Sequence, residues 1–142
     1  MSLPPYLDLP TSDDYRHHYK ETYCQTGVVT FDGIWVGFFP ETFDHAFFRD
    51  SSRQTKDKAV FDRQRAERMP WIRALLLDPN AELYKRVMNA GKVRRIALDP
   101  TERYAVIIQM HPKRQNRARF ITAYVVDSDS ALKKMCANPR WT

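Results

Sequence analysis

The chain has 142 residues, of which 23 are Lys or Arg and 17 are Asp or Glu, so its net charge is +6. This length suits one domain with one hydrophobic core, and a hydrophobic content of 43% excludes a disordered protein. We expect no transmembrane helix, because no apolar run is long enough, and no signal peptide, because residues 1–15 have neither a basic nor an apolar segment. Two cysteines are too few for a disulfide scaffold, which favours a reducing compartment and predicts a cytoplasmic protein. The positive charge permits a polyanionic partner.

The N-terminal part of the chain is predicted to contain an arm, a short helix and two short strands. Residues 1–12 are rich in proline and predict an extended arm, and a helix is predicted over 13–23 with Asp13 as its N-cap. Residues 28–39 are rich in β-branched and aromatic side chains, which favour strands. The dipeptide Asp32-Gly33 is typical of a hairpin turn, so this stretch divides into two short strands.

The middle of the chain has a helical composition, with Ser51 and Ser52 as suitable N-caps. Proline disrupts a helix interior but fits the first turn, so Pro70 predicts one helix over 54–68 and a second over 70–77. A third short helix is predicted over 80–89, with Gly91 just after its end.

The remainder of the chain predicts an antiparallel meander and a terminal helix. The predicted strands cover 93–98, 103–110 and 119–126, and the helix covers 127–138. Helices followed by strands indicate an α+β fold, with N-terminal helices packed on an antiparallel sheet of about four strands and a C-terminal helix. We assign residues 1–27 to the arm and short helix, and residues 28–142 to a single α+β domain.

Basic residues are spaced along the predicted helix over 54–68 so that they share one side. This side carries Lys58, Phe61, Arg65 and Arg68. Either the arginine stems cover Phe61 while their charges reach water, or this side borders a cleft that binds a polyanion. The spacing leaves both readings open.

His45 is the histidine of greatest interest, because it lies between Phe43, Phe47 and Phe48. This sequence predicts an apolar setting. A histidine that titrates near neutral pH is the usual general acid or base. The alternative is a core histidine whose ring is satisfied by a backbone carbonyl.

The last predicted strand alternates between two faces. One face would carry Phe120, Thr122, Tyr124 and Val126, and the other Arg119, Ile121, Ala123 and Val125. Thr122 and Tyr124 could offer hydroxyls to a ligand, or could be present only as good strand formers.

Two further groups of cations could contact phosphates. The loop before the last strand contains Lys113, Arg114 and Arg117, and Arg94 and Arg95 begin the first strand of the meander. Phosphate contacts of this kind dominate nucleic-acid affinity, although basic loops can also serve only solubility. No nucleotide-binding glycine motif and no metal-ligand spacing is present, so any chemistry is expected to need no cofactor and no metal.

Several segments, taken in order, resemble a known superfamily. They are PETFDHAFF, RAERMPWIRALLLDP, RRIAL, YAVIIQM and RFITAYVVD. Over residues 28–130 this set resembles the phage- and mobile-element-associated branch of the barnase–EndoU–colicin–RelE superfamily of small ribonuclease-like toxins. The resemblance implies metal-independent endonucleolytic cleavage of RNA by 2′-hydroxyl transesterification. It also implies RNA, including tRNA, and a cognate immunity protein as partners, with no role for a membrane.

The resemblance assigns the chemistry to four residues. His45 would be the general acid or base, and Arg65 and Arg119 would hold the scissile phosphate. Thr122 would bond a phosphate oxygen or orient the histidine.

Substrate binding would fall to a second group of residues. Tyr124 would stack on a base or bond it. Lys58 and Arg68 would add charge beside Arg65, and Lys113 and Arg114 would contact the RNA backbone from their loop.

The superfamily pattern leaves one catalytic group open. Glu67 is close in sequence to Arg65 but points away from its face, and a second histidine would have to be His111. Two other functions therefore stand beside the ribonuclease. One is a nucleic-acid-binding module without catalysis, and the other is a phage structural or interaction protein for which the charge is incidental.

Overall fold

The computed structural model describes residues 3–142 and has an α+β fold with N-terminal helices, two sheets and a C-terminal helix. The helices are α1 (Ser12–Tyr19), α2 (Phe43–Ala46), α3 (Arg63–Glu67), α4 (Met69–Leu77) and α5 (Asp129–Cys136). The strands are β1 (Val28–Val29), β2 (Trp35–Gly37), β3 (Phe48–Arg49), β4 (Val60–Phe61), β5 (Glu82–Val87), β6 (Val93–Asp99), β7 (Tyr104–Met110) and β8 (Arg117–Val125). No helix within residues 3–142 is both long and apolar enough to cross a membrane.

The main sheet has six strands in the order β1-β2-β8-β7-β6-β5, and β3 and β4 form a separate pair. The predicted α+β class is confirmed, but the antiparallel sheet of about four strands is wrong. The sheet is mixed, because β2 lies parallel to β8, with Trp35 opposite Arg117 and Gly37 opposite Arg119. The predicted hairpin of two short strands is confirmed, since β1 and β2 pair antiparallel around the Asp32-Gly33 turn, where Gly33 has a φ of 91°.

The helix predicted over 54–68 is wrong for most of its length. Residues 50–59 form a loop in which Lys58 has a φ of 49°, a value that no helix contains. The chain then pairs Phe61 with Phe48, and the two ring centroids lie 5.5 Å apart. Only then does α3 begin, because the Asp62 side chain accepts a hydrogen bond from the Arg65 backbone N–H as its N-cap. The next helix is confirmed, and Pro70 lies in the first turn of α4.

The helix predicted over 80–89 is also wrong, since these residues form β5. Its backbone pairs with β6 from Glu82 opposite Leu98 to Val87 opposite Val93. Ala90 and Gly91, with φ of 63° and 74°, then reverse the chain. The pairing of β5 with β6 overrides the helical composition of this segment.

The helix predicted over 13–23 is present in two parts. Thr11, and not Asp13, is the N-cap of α1, and its side chain and that of Asp14 form a capping box. A π-helical segment, Lys20–Cys24, continues the chain. The predicted arm packs on the helices, since Leu7 N–H donates to the Glu67 carbonyl at 2.8 Å. Residues 1–2 of the arm lie outside the described residues.

The two faces of the main sheet carry different layers. One face packs against α1 and α4 through a core rich in aromatic rings. Its aromatic members include Tyr15, Tyr19, Tyr23, Phe38, Phe43, Phe47, Trp71, Tyr104 and Phe120. The other face packs against α5 through a smaller cluster of Tyr84, Ile96, Leu98, Ala105, Ile107, Val126 and Met135. We call the second one the α5 face. Because its apolar cluster lies at one end of the strands, the other end of the α5 face is left to polar side chains.

Candidate nucleic-acid interface

A β-bulge in β8 decides which residues reach the α5 face. Ile107 lies opposite Thr122, but the next residue, Ile108, lies opposite Phe120, so Ile121 is an extra residue in β8. The bulge breaks the two-residue alternation that the sequence predicts. Phe120 therefore points into the aromatic core, and the prediction that it shares a face with Thr122 and Tyr124 is wrong.

The bulge brings Arg119, Thr122 and Tyr124 to the α5 face together. Tyr124 packs against the apolar cluster there, and Arg119 pairs with Gln109 on β7. Arg119 and Gln109 begin a row of side chains that runs across the sheet. The next two strands in the sheet, β6 and β5, continue this row with Arg94 and Arg86. The Arg94 Nε donates to the Gln109 Oε1 at 3.4 Å.

The arginines of this row lie close together. The pKa of Arg94 is lowered by its burial and then by the positive charges of Arg86 and Arg119. Gathering like charges costs free energy, and an anion bound between them would recover it. We call the surface formed by Arg86, Arg94, Arg119, Thr122 and Tyr124, with His45 and Arg65 described next, the basic surface.

His45 lies on α2 at the border of the basic surface. The predicted apolar setting is wrong, because Phe43 and Phe47 turn into the core while the His45 side chain is exposed. The pKa of His45 is lowered from its ordinary value of 6.5, first by partial burial and then by the charges of Lys58, Arg65 and Arg94. The imidazole is therefore mainly neutral at pH 7 and able to accept a proton.

Replacing Arg94 with glutamine is expected to raise the pKa of His45. The substitution removes one of the positive charges that disfavour the imidazolium, and keeps a polar side chain beside Gln109. NMR titration of the His45 ring measures the change. Arg73→Gln is the control, since Arg73 is an exposed residue of α4 and does not act on His45. An unchanged His45 titration in Arg94→Gln would contradict the placement of these two residues.

Arg65 connects the helices to the sheet at this border. Its Nη1 donates to the Ala46 carbonyl at 3.3 Å, and its Nε lies 3.4 Å from the Asp62 carboxylate. The guanidinium carbon lies 5.4 Å from the centre of the Tyr124 ring. Burial raises the pKa of the Tyr124 phenol and is only partly opposed by Arg65 and Arg86, so this side chain stays protonated and able to donate a hydrogen bond.

Thr122 carries an unused hydrogen-bonding group. Its Oγ1 is buried and has no hydrogen-bond partner among residues 3–142. Leaving a buried hydroxyl unpaired costs free energy, and a bound ligand could accept or donate the missing bond. This oxygen belongs to the residue that the bulge turns toward the basic surface.

The remaining predicted residues occupy different places. Lys58 and Phe61 do not belong to a helix, so the predicted helical stripe is wrong, but the Lys58 charge still acts on His45. Arg68 is held by other groups, since its Nη2 donates to the Tyr6 hydroxyl at 3.0 Å and its guanidinium stacks on Tyr6 and Trp71. It still lines a cavity of about 310 Å³ together with Arg65 and Tyr124.

Lys113 and Arg114 lie at the far end of the sheet, around a separate cavity of about 510 Å³. Arg119 also lines that cavity and so joins it to the basic surface. His111 is nearby, and its Nδ1 accepts from the backbone N–H groups of Lys113 and Arg114. Arg95, in contrast, is only 2% exposed and pairs with Asp32 at 2.8 Å, so its predicted phosphate contact is wrong.

The sequence analysis does not identify two residues of this region as candidate site residues. Arg86 falls in the segment for which the sequence predicts a helix, and only the pairing of β5 with β6 places it in a strand. Trp35 was assigned only to a strand, and its exposed ring next to Arg117 depends on the parallel pairing of β2 with β8. No local pattern indicates that pairing.

The basic surface thus combines the His45 imidazole, a group of arginines and a hydroxyl that is unbonded among residues 3–142, at one face of the sheet and its border. Among residues 3–142, no three His, Cys, Asp or Glu side chains are close enough together to hold a metal ion.

No family model, no curated protein sequence and no solved structure matches this chain.

Proposed function

We propose that this protein is a metal-independent endoribonuclease that cleaves RNA by transesterification. The observation that carries the proposal is the position of His45, whose lowered pKa is caused in part by the same cations that would bind a phosphate. A neutral imidazole within a group of fixed positive charges is the arrangement that attack by a 2′-hydroxyl on phosphorus requires. We extend the proposal to membership of the ribonuclease superfamily that the sequence resembles.

His45 acts as the general base in this proposal. Its neutral ring takes the proton of the ribose 2′-hydroxyl as the 2′ oxygen forms a bond to phosphorus. The bond from phosphorus to the 5′ oxygen then breaks, and the leaving oxygen takes a proton from water. The products are a 2′,3′-cyclic phosphate and a 5′-hydroxyl, and the imidazolium returns its proton to solvent.

The cations and the hydroxyl stabilise the crowded phosphorus in this reaction. Arg119 and Arg65 offer N–H donors to the phosphate oxygens, and Thr122 supplies the hydrogen bond that its Oγ1 lacks within the protein. The phosphate charge also offsets the cations around His45. RNA binding therefore raises the pKa of His45 at the moment when the ring must accept a proton.

The proposal predicts RNA cleavage by the purified protein in EDTA. Total RNA, tRNA and short oligoribonucleotides are incubated with the protein, and the fragment ends are analysed for 2′,3′-cyclic phosphate. Arg119→Ala should slow cleavage by about 10²-fold, as expected when one donor to a developing oxyanion is removed. Arg73→Ala, on the opposite side of the sheet, is the matched control and should cleave at the rate of the unaltered protein.

Three results would contradict this proposal. One is a folded protein that leaves all these RNAs intact. Another is equal cleavage by the unaltered protein and Arg119→Ala, which would indicate another site or a contaminant. The third is cleavage that stops in EDTA, which would exclude the metal-independent route.

The second candidate is a nucleic-acid-binding module without catalysis. The exposure of His45 and the row of neighbouring arginines favour it, because binding requires charge but no titrating group. This candidate predicts RNA binding that weakens steeply as salt rises, with no product formed. Under either candidate the partner is RNA, including tRNA, and a protein inhibitor of the site would present acidic side chains to the basic surface.

A further inference from the structure

We propose that the cleft around Trp35 and Phe39 binds an unpaired nucleotide of the same RNA strand whose cleavage site lies at His45. This inference rests on the proposed RNA-binding function of the basic surface and names the form of its substrate as single-stranded. The cleft is the cavity of about 510 Å³ that Arg119 shares with the basic surface.

The indole of Trp35 is held in place while remaining open to solvent. Its Nε1 donates to the Thr26 carbonyl at 3.1 Å. A Cβ added to Gly27 or to Gly37 would come within 2.9 Å of the ring, so the ring lies directly against both glycines. The Trp35 side chain nevertheless remains 37% exposed. A large ring fixed at the surface offers a stacking partner with little entropy left to lose.

Trp35 lies on the same sheet face as the basic surface. Val36 points into the aromatic core, so its neighbour Trp35 points to the α5 face. Trp35 lies opposite Arg117 in the parallel pair, and the Arg117 guanidinium carbon is 5.0 Å from the centre of the indole ring. At about 3.3 Å of rise per residue, Thr122 lies roughly 15 Å further along β8, a distance that a short single strand can span.

The charge of this cleft fits a nucleic-acid backbone. Its cations are Lys113, Arg114, Arg117 and Arg119, and no carboxylate lines it within residues 3–142. Phe39 adds a second aromatic side chain, which is 45% exposed. Aromatic rings beside uncompensated cations bind unpaired bases by stacking and the backbone by charge. Paired bases in a duplex cannot stack in this way, which makes the preferred ligand single-stranded.

The test measures binding of 2′-O-methyl oligoribonucleotides, which lack the attacking hydroxyl and cannot be cleaved. Fluorescence anisotropy gives the affinities of a labelled dinucleotide and a labelled hexanucleotide for the unaltered protein, Trp35→Leu and Phe39→Leu. We expect the ratio of hexanucleotide to dinucleotide affinity to fall by about 10- to 100-fold in Trp35→Leu, the effect of losing one stacked base. Phe39→Leu should lower the same ratio by a smaller factor.

Phe39→Leu guards against a folding defect in Trp35→Leu. Its backbone carbonyl, and not its ring, accepts the Tyr19 hydroxyl at 3.1 Å, so the core contact is kept. Leu77→Ala is the matched control, since Leu77 is an exposed apolar residue at the end of α4, outside the cleft. Both affinities should be unchanged in this control.

An unchanged affinity ratio in both cleft variants would overturn the inference. If the cleft variants instead lost self-association or binding to a protein, the cleft would be a protein interface. Because the oligonucleotides are not cleaved, the outcome is separate from that of the proposed function. If the unaltered protein cleaves RNA but the cleft variants keep its affinity ratio, only the proposed nucleotide binding in the cleft is refuted. If the cleft variants lower the affinity ratio but the protein never cleaves RNA, only the ribonuclease proposal is refuted.

Discussion

Replacing His45 with alanine is expected to slow RNA cleavage by about 10²- to 10⁴-fold, the usual effect of losing a general acid or base. The imidazole of His45 is available to accept a proton, because burial and three neighbouring cations lower its pKa and favour its neutral form. The side chain is exposed and the core beneath it is formed by Phe43 and Phe47, so the fold should be unaffected. Single-turnover cleavage of an oligoribonucleotide, with circular dichroism as the folding check, measures the effect.

The pH dependence provides a second readout for the same residue. As a base, His45 works in its neutral form, so the cleavage rate of the unaltered protein should fall as pH drops through its lowered pKa. Raising that pKa with Arg94→Gln should move this acid limb to higher pH. His17→Ala is the matched control, because His17 is 73% exposed on α1 and pairs with Glu21. Equal rates for His45→Ala and His17→Ala would exclude His45 from the chemistry.

Replacing Asp32 with asparagine is expected to lower the free energy of unfolding by about 3 kcal/mol, because it leaves the Arg95 charge buried without its partner. The Arg95 side chain is 3% exposed, and its two terminal nitrogens reach the Asp32 carboxylate at 2.8 and 3.2 Å. The Thr30 hydroxyl donates to the same carboxylate at 2.6 Å. Urea denaturation monitored by tryptophan fluorescence measures the loss.

Two further variants separate this effect from an ordinary loss of surface charge. Asp44→Asn breaks the exposed ion pair with Arg16, and should cost about 1 kcal/mol or less. Arg95→Met combined with Asp32→Asn removes both charges and should recover most of the stability. If Asp32→Asn and Asp44→Asn lower the free energy of unfolding by the same small amount, the Arg95 charge does not depend on Asp32 for its stabilisation.

The acid stability of the protein should reflect the same ion pair. Burial works against the Asp32 carboxylate, but the hydrogen bonds from Arg95 and Thr30 outweigh it and lower its pKa below 3.8. The unfolded chain therefore binds its proton more readily than the folded one. The stability that the carboxylate contributes is present above its ordinary pKa and is lost as pH falls through the lowered value.

The parts of the fold that local sequence determines could be predicted. The strands β6, β7 and β8 were predicted from their β-branched residues, and the turn at Asp99-Pro100 from its proline. The helix α4 was predicted from Pro70, and α5 from the composition of residues 127–138. In these segments the hydrophobic pattern, the capping residues and the turn residues all indicate the same structure.

The errors arise where distant pairing decides the structure. Residues 82–87 have helical composition, but β6 offers them a ladder of hydrogen bonds along its free edge. Phe61 would suit a helix as well as a strand, but it pairs with Phe48. Such contacts depend on residues far away in the sequence, and a window of neighbouring residues contains no sign of them.

The sequence names several residues of the basic surface but not their geometry. His45, Arg65 and Arg119 were named from their segments, and the structure places them around one sheet face. The strict alternation of β8 put Arg119 and Thr122 on opposite faces, and the extra residue Ile121 brings them to the same face. A bulge leaves no clear mark in a single sequence, because it depends on the register that the partner strand adopts.

The parallel pairing of β2 with β8 also has a consequence for when the basic surface exists during synthesis. Trp35 and His45 leave the ribosome before Arg119, Thr122 and Tyr124 do. Until β8 has emerged, the row of arginines lacks Arg119, and the strand against which β2 and α2 pack is missing. A contact between such distant segments also forms late in folding. The basic surface is therefore absent while the segments before β8 are being translated, and it can assemble only after β8 has emerged.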